Sequence, residues 1–268
     1  MIVVRVMTWN LWWRFGDHER RRPAILSVLR DVRPDVVGLQ EVWADGDTTL
    51  AGWLAGALGM HWAYGPGSDQ ATWRSRVPDS AALSCGVAVL SRWPLHDVRV
   101  YDLPEDPSRS ALSVTVEAPH ARVPFVTTHL SVLPGSARRM AQLEWLARHV
   151  ASRDTGDHPP VVVGDLNAYP DSDEIRRFGG MLTVPFVEGL MLLDAWHFAD
   201  PADPGHTWDR RNPHAAAWVA PGGRIDYIHV VHSPSRHGRV QAVRRAATDP
   251  VDGVWPSDHA AVVADLSD

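Results

Sequence analysis

Short runs of β-branched and other apolar residues recur along the chain, and several of them end in a polar side chain. Residues 161–163 are all valine and are followed by Gly164, Asp165 and, two residues later, Asn167. Three consecutive β-branched residues predict a buried strand, and Gly164 and Pro170 bracket a turn after it. A single Asp-x-Asn is typical of a turn. Because other strand ends repeat the pattern, it indicates a functional site.

The same pattern predicts strands on both sides of this central one. Residues 111–117 and 123–130 flank Pro119 and His120, so we expect them to pair as a hairpin. Several predicted strands deliver Asn, Glu, His or Asp at an end. The remaining predicted strands are residues 2–9, 35–41, 86–91, 95–101, 224–231 and 241–247, with a last one inside 257–265.

Apolar residues at helical spacing predict three helices. The first spans residues 19–31, with Pro23 in its first turn. Asp47 is the predicted cap of the second helix, which Gly59 ends. The third spans residues 136–149 and is capped by its first residue, a serine.

Two long stretches, residues 65–82 and 198–223, are rich in Gly, Pro and polar residues and are predicted to be loops. Loops of the second length in a compact domain are usually functional or disordered. No linker, low-complexity tract or internal repeat interrupts the 268 residues. We therefore expect residues 1–268 to form a single catalytic domain, with many strands and a few covering helices.

Composition narrows the possible functions. A net charge of -6 argues against a broad basic surface for nucleic acid, although it does not exclude a local basic groove. Cys85 is the only cysteine, so no internal disulfide forms, and we predict a reducing, cytoplasmic location. The apolar run at the N-terminus is broken at Arg5, which predicts a strand rather than a secretory signal. No apolar run is long enough for a transmembrane segment.

The chemistry is concentrated at the strand ends. Glu41 is a hard oxygen ligand, and such ligands suit magnesium or manganese better than zinc. The chain has no Gly-x-Ser-x-Gly elbow and no Walker-type loop, which removes two common catalytic designs. The remaining carboxylates, amides and histidines can hold a metal, position water and stabilise negative charge.

Seven short motifs follow one another in the order that one enzyme family uses. They are Thr8-Trp9-Asn10, Gln40-Glu41, Gly86-Val87-Ala88-Val89-Leu90-Ser91-Arg92, Thr128-His129-Leu130, Gly164-Asp165-Leu166-Asn167, Arg224-Ile225-Asp226-Tyr227 and Ser257-Asp258-His259. Together they make the chain similar to the endonuclease/exonuclease/phosphatase (DNase I-like) superfamily. The resemblance implies an α/β (α+β) fold, a four-layer α/β/β/α sandwich of two mixed β-sheets flanked by helices.

The resemblance also implies roles for individual residues. Hydrolysis of a phosphoester would depend on Mg²⁺ or Mn²⁺, with Glu41 as the main metal ligand and Asn10 and Asp258 beside it. The implied catalytic residues are Asp165, Asn167, His259, Asp226 and His129. The implied phosphate contacts are Arg109, His129 and Asn167. His259 resembles the acid/base histidine, and whether Asp165 or His259 takes the proton from water stays open.

One departure from the family bears on the substrate. Where DNase I-like members have a Glu that supports the counterpart of His129, the matching position here is Cys85, which argues against a close relative of DNase I. A phosphodiesterase or nuclease is the first interpretation, and a phosphatase or phospholipase-C-like enzyme for a phosphoinositide, sphingomyelin or another phosphomonoester is the second. A catalytically inactive binding module is the third. The expected partner is the phosphoester substrate, either nucleic acid or a phosphorylated small molecule or lipid headgroup, and no obligate protein partner is indicated.

Overall fold

The fold is that of a computed structural model, which describes residues 3–77, 82–153, 158–217, 220–234 and 237–267. The strands are β1 Val3–Asn10, β2 Val36–Asp45, β3 Thr48–Thr49, β4 His61–Pro66, β5 Leu83–Ser91, β6 Leu95–Leu103, β7 Asp106–Glu117, β8 Arg122–His129, β9 Val161–Asp165, β10 Leu192–Asp194, β11 Asp226–Val231, β12 Val240–Ala246 and β13 Ala261–Ser267. The helices are α1 His18–Val32, α2 Leu50–Leu58, α3 Ala71–Arg74, α4 Ser136–Ala151, α5 Asp173–Gly179 and α6 Pro213–Ala216, with a 3-10 turn at Ala195–Phe198.

The strands form two mixed sheets. The first sheet has the order β12-β13-β1-β2-β5-β4, with β3 beside β2, and the second has the order β10-β11-β9-β8-β7-β6. Each sheet contains one parallel pair, β1 with β2 and β8 with β9. A parallel pair needs a crossover connection, which α1 supplies in the first sheet and α4 in the second. The predicted hairpin is confirmed as the antiparallel pair of β7 and β8.

Three apolar cores hold the layers together. The inner core lies between the sheets and includes Val6 and Val89 of the first sheet with Val114 and Val163 of the second. Helices α1 and α2 cover the outer face of the first sheet. Helices α4 and α5 cover the outer face of the second. This arrangement confirms the predicted α/β sandwich of two mixed sheets flanked by helices.

The predicted helix ends need three corrections. Helix α1 begins at His18, so Pro23 lies in its second turn rather than its first. Asp47 does not cap α2, because the cap is Thr49, whose side chain accepts the N–H of Gly52 at 2.8 Å. The residue preceding α4 is Gly135, and Ser136 is already helical.

The two predicted loops contain short elements that local patterns did not reveal. Residues 65–82 include the end of β4 and all of α3, while 78–81 lie outside the described residues. Residues 198–223 contain α6, whose cap Asn212 accepts the N–H of His214 at 3.0 Å. Strands β4 and β10 and helix α5 were not predicted from the sequence pattern. These elements are short or lie at sheet edges, where neighbours rather than periodicity decide the structure. No helix in the described part of the chain is long and apolar enough to cross a membrane.

Candidate active site

Strand periodicity explains why the polar strand ends meet. In β9, Val161 and Val163 face the core between the sheets, and Asp165 is next in the same alternating series. The strand registers place His129 of β8 opposite Asp165, and Asp165 opposite Asp226 of β11. Three adjacent strands therefore deliver a row of ionisable side chains at one end of the inner core.

A hydrogen-bonded layer separates the apolar core from this row. The amide of Gln40 donates to Thr127 Oγ1 at 3.0 Å and to Thr8 Oγ1 at 3.1 Å, which joins the two sheets. One step deeper, a Cβ on Gly38 would lie 2.3 Å from Val163. The sheets approach this closely because residue 38 has no side chain.

Asp165 is the centre of the site. Its Oδ2 accepts a hydrogen bond from Asn10 Nδ2 at 3.0 Å and lies 3.3 Å from His129 Nε2 and 3.8 Å from His259 Nε2. All four side chains are at least 95% buried. One carboxylate therefore has an amide donor and two imidazoles as neighbours, contributed by both sheets.

His259 is held by a carboxylate on its far side. Its Nδ1 lies 2.8 Å from Asp226 Oδ2, and its carbonyl accepts the indole N–H of Trp9 at 2.9 Å. Burial alone would lower the pKa of His259, but the carboxylates of Asp226, Asp258 and Asp165 outweigh it and raise the pKa to about 10. Burial, followed by the Asp226 carboxylate, raises the pKa of Asp165 to about 7. The His259 ring is thus protonated at neutral pH, while Asp165 is poised to exchange a proton.

His129 has a different neighbour. Arg109 Nη1 lies 2.7 Å from its Nδ1 and 3.0 Å from its Nε2, and the Arg109 guanidinium lies 5.5 Å from the centre of the Trp73 ring. Burial, followed by the charges of Arg109 and His259, holds the pKa of His129 well below its usual value. Cys85 brings no charge to this side, because burial raises the pKa of its thiol. Burial and the cation of Arg109 therefore keep the His129 ring neutral.

Two further side chains border the site. The Asn167 backbone N–H donates to Asp165 Oδ1 at 2.9 Å, and its side-chain amide donates to the carbonyl of Leu130 at 3.0 Å. Its φ of 49° lies in a region that Asn tolerates better than most residues. The ring of Trp208, which is partly exposed, meets the His259 ring edge-on at 4.7 Å.

Glu41 lies at an irregularity of β2. The pairing of β2 with β5 shifts register between Leu39 and Val42, and Glu41 has a φ of 51°. Bulges of this kind redirect side chains and often lie next to active sites. Burial, and the nearby Glu41 carboxylate, raise the pKa of Asp258 to about 7 even though His259 acts in the opposite direction. Glu41 and Asp258 are therefore electrostatic neighbours, and their role as metal ligands stays a prediction.

The donor atoms fit a divalent cation. Glu41 Oε2 is buried and has no hydrogen-bond partner among the described residues, which is costly for a carboxylate unless something else binds it. Asp165, Asp226 and His259 also have ligand-type atoms within 4.8 Å of one another, but Glu41 is outside that group. Since His259 is already bonded to Asp226, we regard the three as a hydrogen-bonded unit and Glu41 as the stronger candidate ligand.

One important residue was missed from the sequence. Arg21 lies four residues before Ile25 and seven before Val28, on the buried stripe of α1, and is 2% exposed. A charged residue on an apolar helical stripe was the available signal.

Comparisons with known proteins agree with this fold. The structure is similar to TDP2 from D. rerio in complex with a single strand DNA product, with a TM-score of 0.77, 18% identity and 100% of both chains covered. The human Nocturnin catalytic domain with bound sulfate anion has a TM-score of 0.71 and 22% identity, covering 99% of this chain and 94% of that one. An endonuclease/exonuclease/phosphatase from Beutenbergia cavernae DSM 12333 has a TM-score of 0.73 and 26% identity, covering 100% of this chain and 72% of that one.

At these identities the first two likenesses concern the fold alone. No curated protein sequence matches the chain. The sequence model of the Endonuclease/Exonuclease/phosphatase family, in contrast, matches residues 7–259, which include every candidate site residue. The chain therefore belongs to the endonuclease/exonuclease/phosphatase family, whose enzymes hydrolyse phosphoester bonds.

Proposed function

We propose that this protein is a phosphodiesterase that depends on Mg²⁺ or Mn²⁺ and acts on nucleic acid or a related phosphodiester. The observation that carries the proposal is the convergence on Asp165 of Asn10, His129 and the hydrogen-bonded pair of His259 and Asp226. A strand-end turn would require none of these buried partners. Hydrolysis of phosphoesters makes use of such groups, because negative charge develops and protons must move.

The candidate metal ligands are Glu41, Asn10 and Asp258. Family enzymes use divalent metals, and the buried unpartnered oxygen of Glu41 supports a cation on this side of the site. A bound divalent cation would polarise a phosphoryl oxygen and reduce the repulsion between the phosphate and its attacker. The oxygen-rich donor set favours Mg²⁺ or Mn²⁺ over softer metals.

The protein's own residues divide the proton transfers and the charge stabilisation. Asp165, whose pKa is raised to about 7, suits the role of base that takes a proton from the attacking water, with Asn167 beside it. The protonated ring of His259, oriented by Asp226, suits the role of acid that protonates the leaving oxygen. Arg109 and His129 would bind phosphate oxygens. The alternative is the reverse assignment, with His259 as the base and Asp165 as the acid.

One aromatic side chain beside the site supports a nucleic acid substrate. Trp208 is partly exposed next to His259, and stacking on an aromatic ring is a common way to bind bases. The D. rerio relative was solved with a single strand DNA product, which is a property of that protein. A phosphatase or phospholipase-C-like activity is the alternative that a substrate panel would reveal.

We also propose a cytoplasmic location and no obligate protein partner, as the sequence predicts, with residues 1–268 forming a single domain.

The test is hydrolysis of bis-(p-nitrophenyl) phosphate. We expect activity with Mg²⁺ or Mn²⁺ that EDTA removes and added metal restores. Asp165→Asn and His259→Ala should each lower kcat by about a hundredfold or more, the range of a lost acid, base or charge-stabilising group. His61→Ala is the matched control, since His61 is exposed on the edge strand β4.

Two results would contradict the proposal. Activity that survives chelation would remove the metal from the reaction, and a full-rate variant at position 165 or 259 would remove that residue from it. Plasmid DNA, single-stranded DNA, RNA, sphingomyelin and inositol phosphates then separate the substrate classes. Steep inhibition by salt would support nucleic acid, because phosphate contacts release counterions.

A further inference from the structure

Arg21 binds a whole loop through its guanidinium group. It donates five hydrogen bonds, all to main-chain carbonyl oxygens. The acceptors are Leu11 at 2.8 Å, Trp12 at 2.9 Å, Trp13 at 2.9 Å, Phe15 at 2.9 Å and Pro256 at 3.0 Å. Nη1 donates to Leu11 and Pro256, and the two N–H groups of Nη2 are shared among Trp12, Trp13 and Phe15, whereas Nε has no partner among the described residues. Lysine has a single nitrogen and cannot reach acceptors on both sides of such a fork.

The loop that Arg21 holds is strained. Trp12 and Trp13 follow each other with φ values of 57° and 36°, in the left-handed region that bulky side chains rarely adopt. Such a conformation persists only where the surroundings impose it. Here the carbonyl oxygens of both residues accept hydrogen bonds from Arg21.

The same loop is bonded to two candidate metal ligands. The N–H of Trp12 donates to Asn10 Oδ1 at 2.9 Å, and the N–H of Trp13 donates to the carbonyl of Glu41 at 3.0 Å. The Asn10 bond leaves the amide nitrogen of that side chain directed at Asp165. Holding the loop therefore orients Asn10 and fixes the backbone at Glu41.

The fifth hydrogen bond reaches the opposite end of the chain. Pro256 comes directly before Ser257, whose hydroxyl donates to the carbonyl of Asn10 at 2.6 Å. Asp258 and His259 follow at once. One buried guanidinium thus connects the loop after β1 to the segment that carries two further site residues.

The positive charge of Arg21 also lies near two of the candidate metal ligands. Its cation interacts favourably with the carboxylates of Asp258 and Glu41, although burial lowers its pKa to about 10. It remains a cation at neutral pH and lies 4.9 Å from the centre of the Trp12 ring. A permanent positive charge thus lies beside two carboxylates that are candidate metal ligands.

We infer that Arg21 is a positioning residue for the metal-binding side of the site. It presets the loop after β1 and the segment around Pro256, so that Asn10, Glu41 and Asp258 are in place before a cation binds. The inference rests on the proposed metal-dependent function. Supports of metal ligands typically change metal affinity or activity ten- to a hundredfold when they are altered.

The experiment compares Arg21→Lys and Arg21→Met with the wild type. The control is Arg20→Lys, on the exposed side of the same helix. Mn²⁺ affinity is measured from the paramagnetic resonance signal of free Mn²⁺, and kcat and KM are measured with bis-(p-nitrophenyl) phosphate. We expect at least a tenfold loss of Mn²⁺ affinity and of kcat in Arg21→Lys, with KM within about twofold of the wild type because Arg109 and His129 are untouched. Thermal melting shows whether each variant folds.

A second measurement needs no variant. In the metal-free wild type, the amides of Leu11, Trp12 and Trp13 should already exchange slowly with deuterium, and added Mn²⁺ should change these rates less than twofold. Rapid exchange that slows only when Mn²⁺ is added would overturn the inference, because the cation would then order the loop. A folded Arg21→Lys variant that binds Mn²⁺ as tightly as Arg20→Lys would overturn it as well. Wild-type protein that neither binds Mn²⁺ nor hydrolyses phosphodiesters would refute the proposed function instead. Amide exchange would in that case still show whether Arg21 orders the loop after β1.

Discussion

The two histidines on either side of Asp165 are buried alike but differ in charge. His259 is 2% exposed and His129 is 4% exposed, so the loss of water opposes protonation of both rings. His259 adjoins the carboxylate of Asp226 and becomes a cation. His129 adjoins the guanidinium of Arg109 and stays neutral. The sign of the neighbouring charge, rather than the degree of burial, explains why the pKa values of the two histidines differ.

A third buried histidine shows a pKa shift in which burial is the largest cause. His229 lies three residues beyond Asp226 in β11, on the outer face of the sheet, with Phe178 and Tyr227 against its ring. Neither ring nitrogen has a hydrogen-bond partner among the described residues. Burial is the main reason that its pKa falls to about 4, with Asp194 acting in the other direction and the charges of Arg224 and His197 lowering the pKa further. The pKa of His229 is lowered, whereas the carboxylates around His259 raise the pKa of that equally buried ring.

The largest expected effect comes from removing the charge that holds His259. Asp226→Asn should lower kcat about a thousandfold, because the ring loses the carboxylate that orients it and stabilises its protonated form. The pKa of His259, followed by NMR titration, should fall at the same time. Asp171→Asn, at an exposed position, is the control. A rate within twofold of the wild type would show that the Asp226 charge is not needed.

An intermediate effect is expected on the other side of Asp165. Arg109→Met removes a cation next to His129, so the pKa of His129 should rise while that of His259 stays nearly unchanged. Loss of a charged phosphate contact should lower kcat/KM about a hundredfold. Arg30→Met, exposed on α1, is the control. An unchanged His129 titration would mean that burial alone accounts for its low pKa.

The smallest effect concerns stability in acid. The unfolded chain protonates His229 below its ordinary pKa of about 6.5, whereas the folded ring stays neutral down to about 4. Unfolding therefore binds a proton as the pH falls, and the free energy of unfolding declines by roughly 3 kcal/mol across this window. In His229→Phe the decline between pH 7 and pH 5 should be about 2 kcal/mol smaller. Urea unfolding followed by tryptophan fluorescence measures it, with His61→Gln as the exposed control. Equal acid sensitivity in both variants would contradict the role of His229.

The sequence by itself determined most of the fold and the composition of the site. Period-two alternation carries Val161 and Val163 to Asp165 and predicts a polar side chain at the end of a buried strand. Because the same local rule applies at Asn10, His129 and Asp226, the sequence could indicate that they share one end of the sandwich. Local patterns suffice here, since strand geometry fixes which face each residue occupies.

Tertiary structure alone decided which charges lie next to the site residues and which contacts position those residues. Nothing near His129 in the sequence predicts that Arg109 will meet its ring, and nothing near Glu41 predicts the register shift in β2. Arg21 acquires its role only when Pro256, 235 residues away, packs beside the loop after β1. Charges act through space and strand registers depend on neighbouring strands, so these features arise only once the two sheets are packed together.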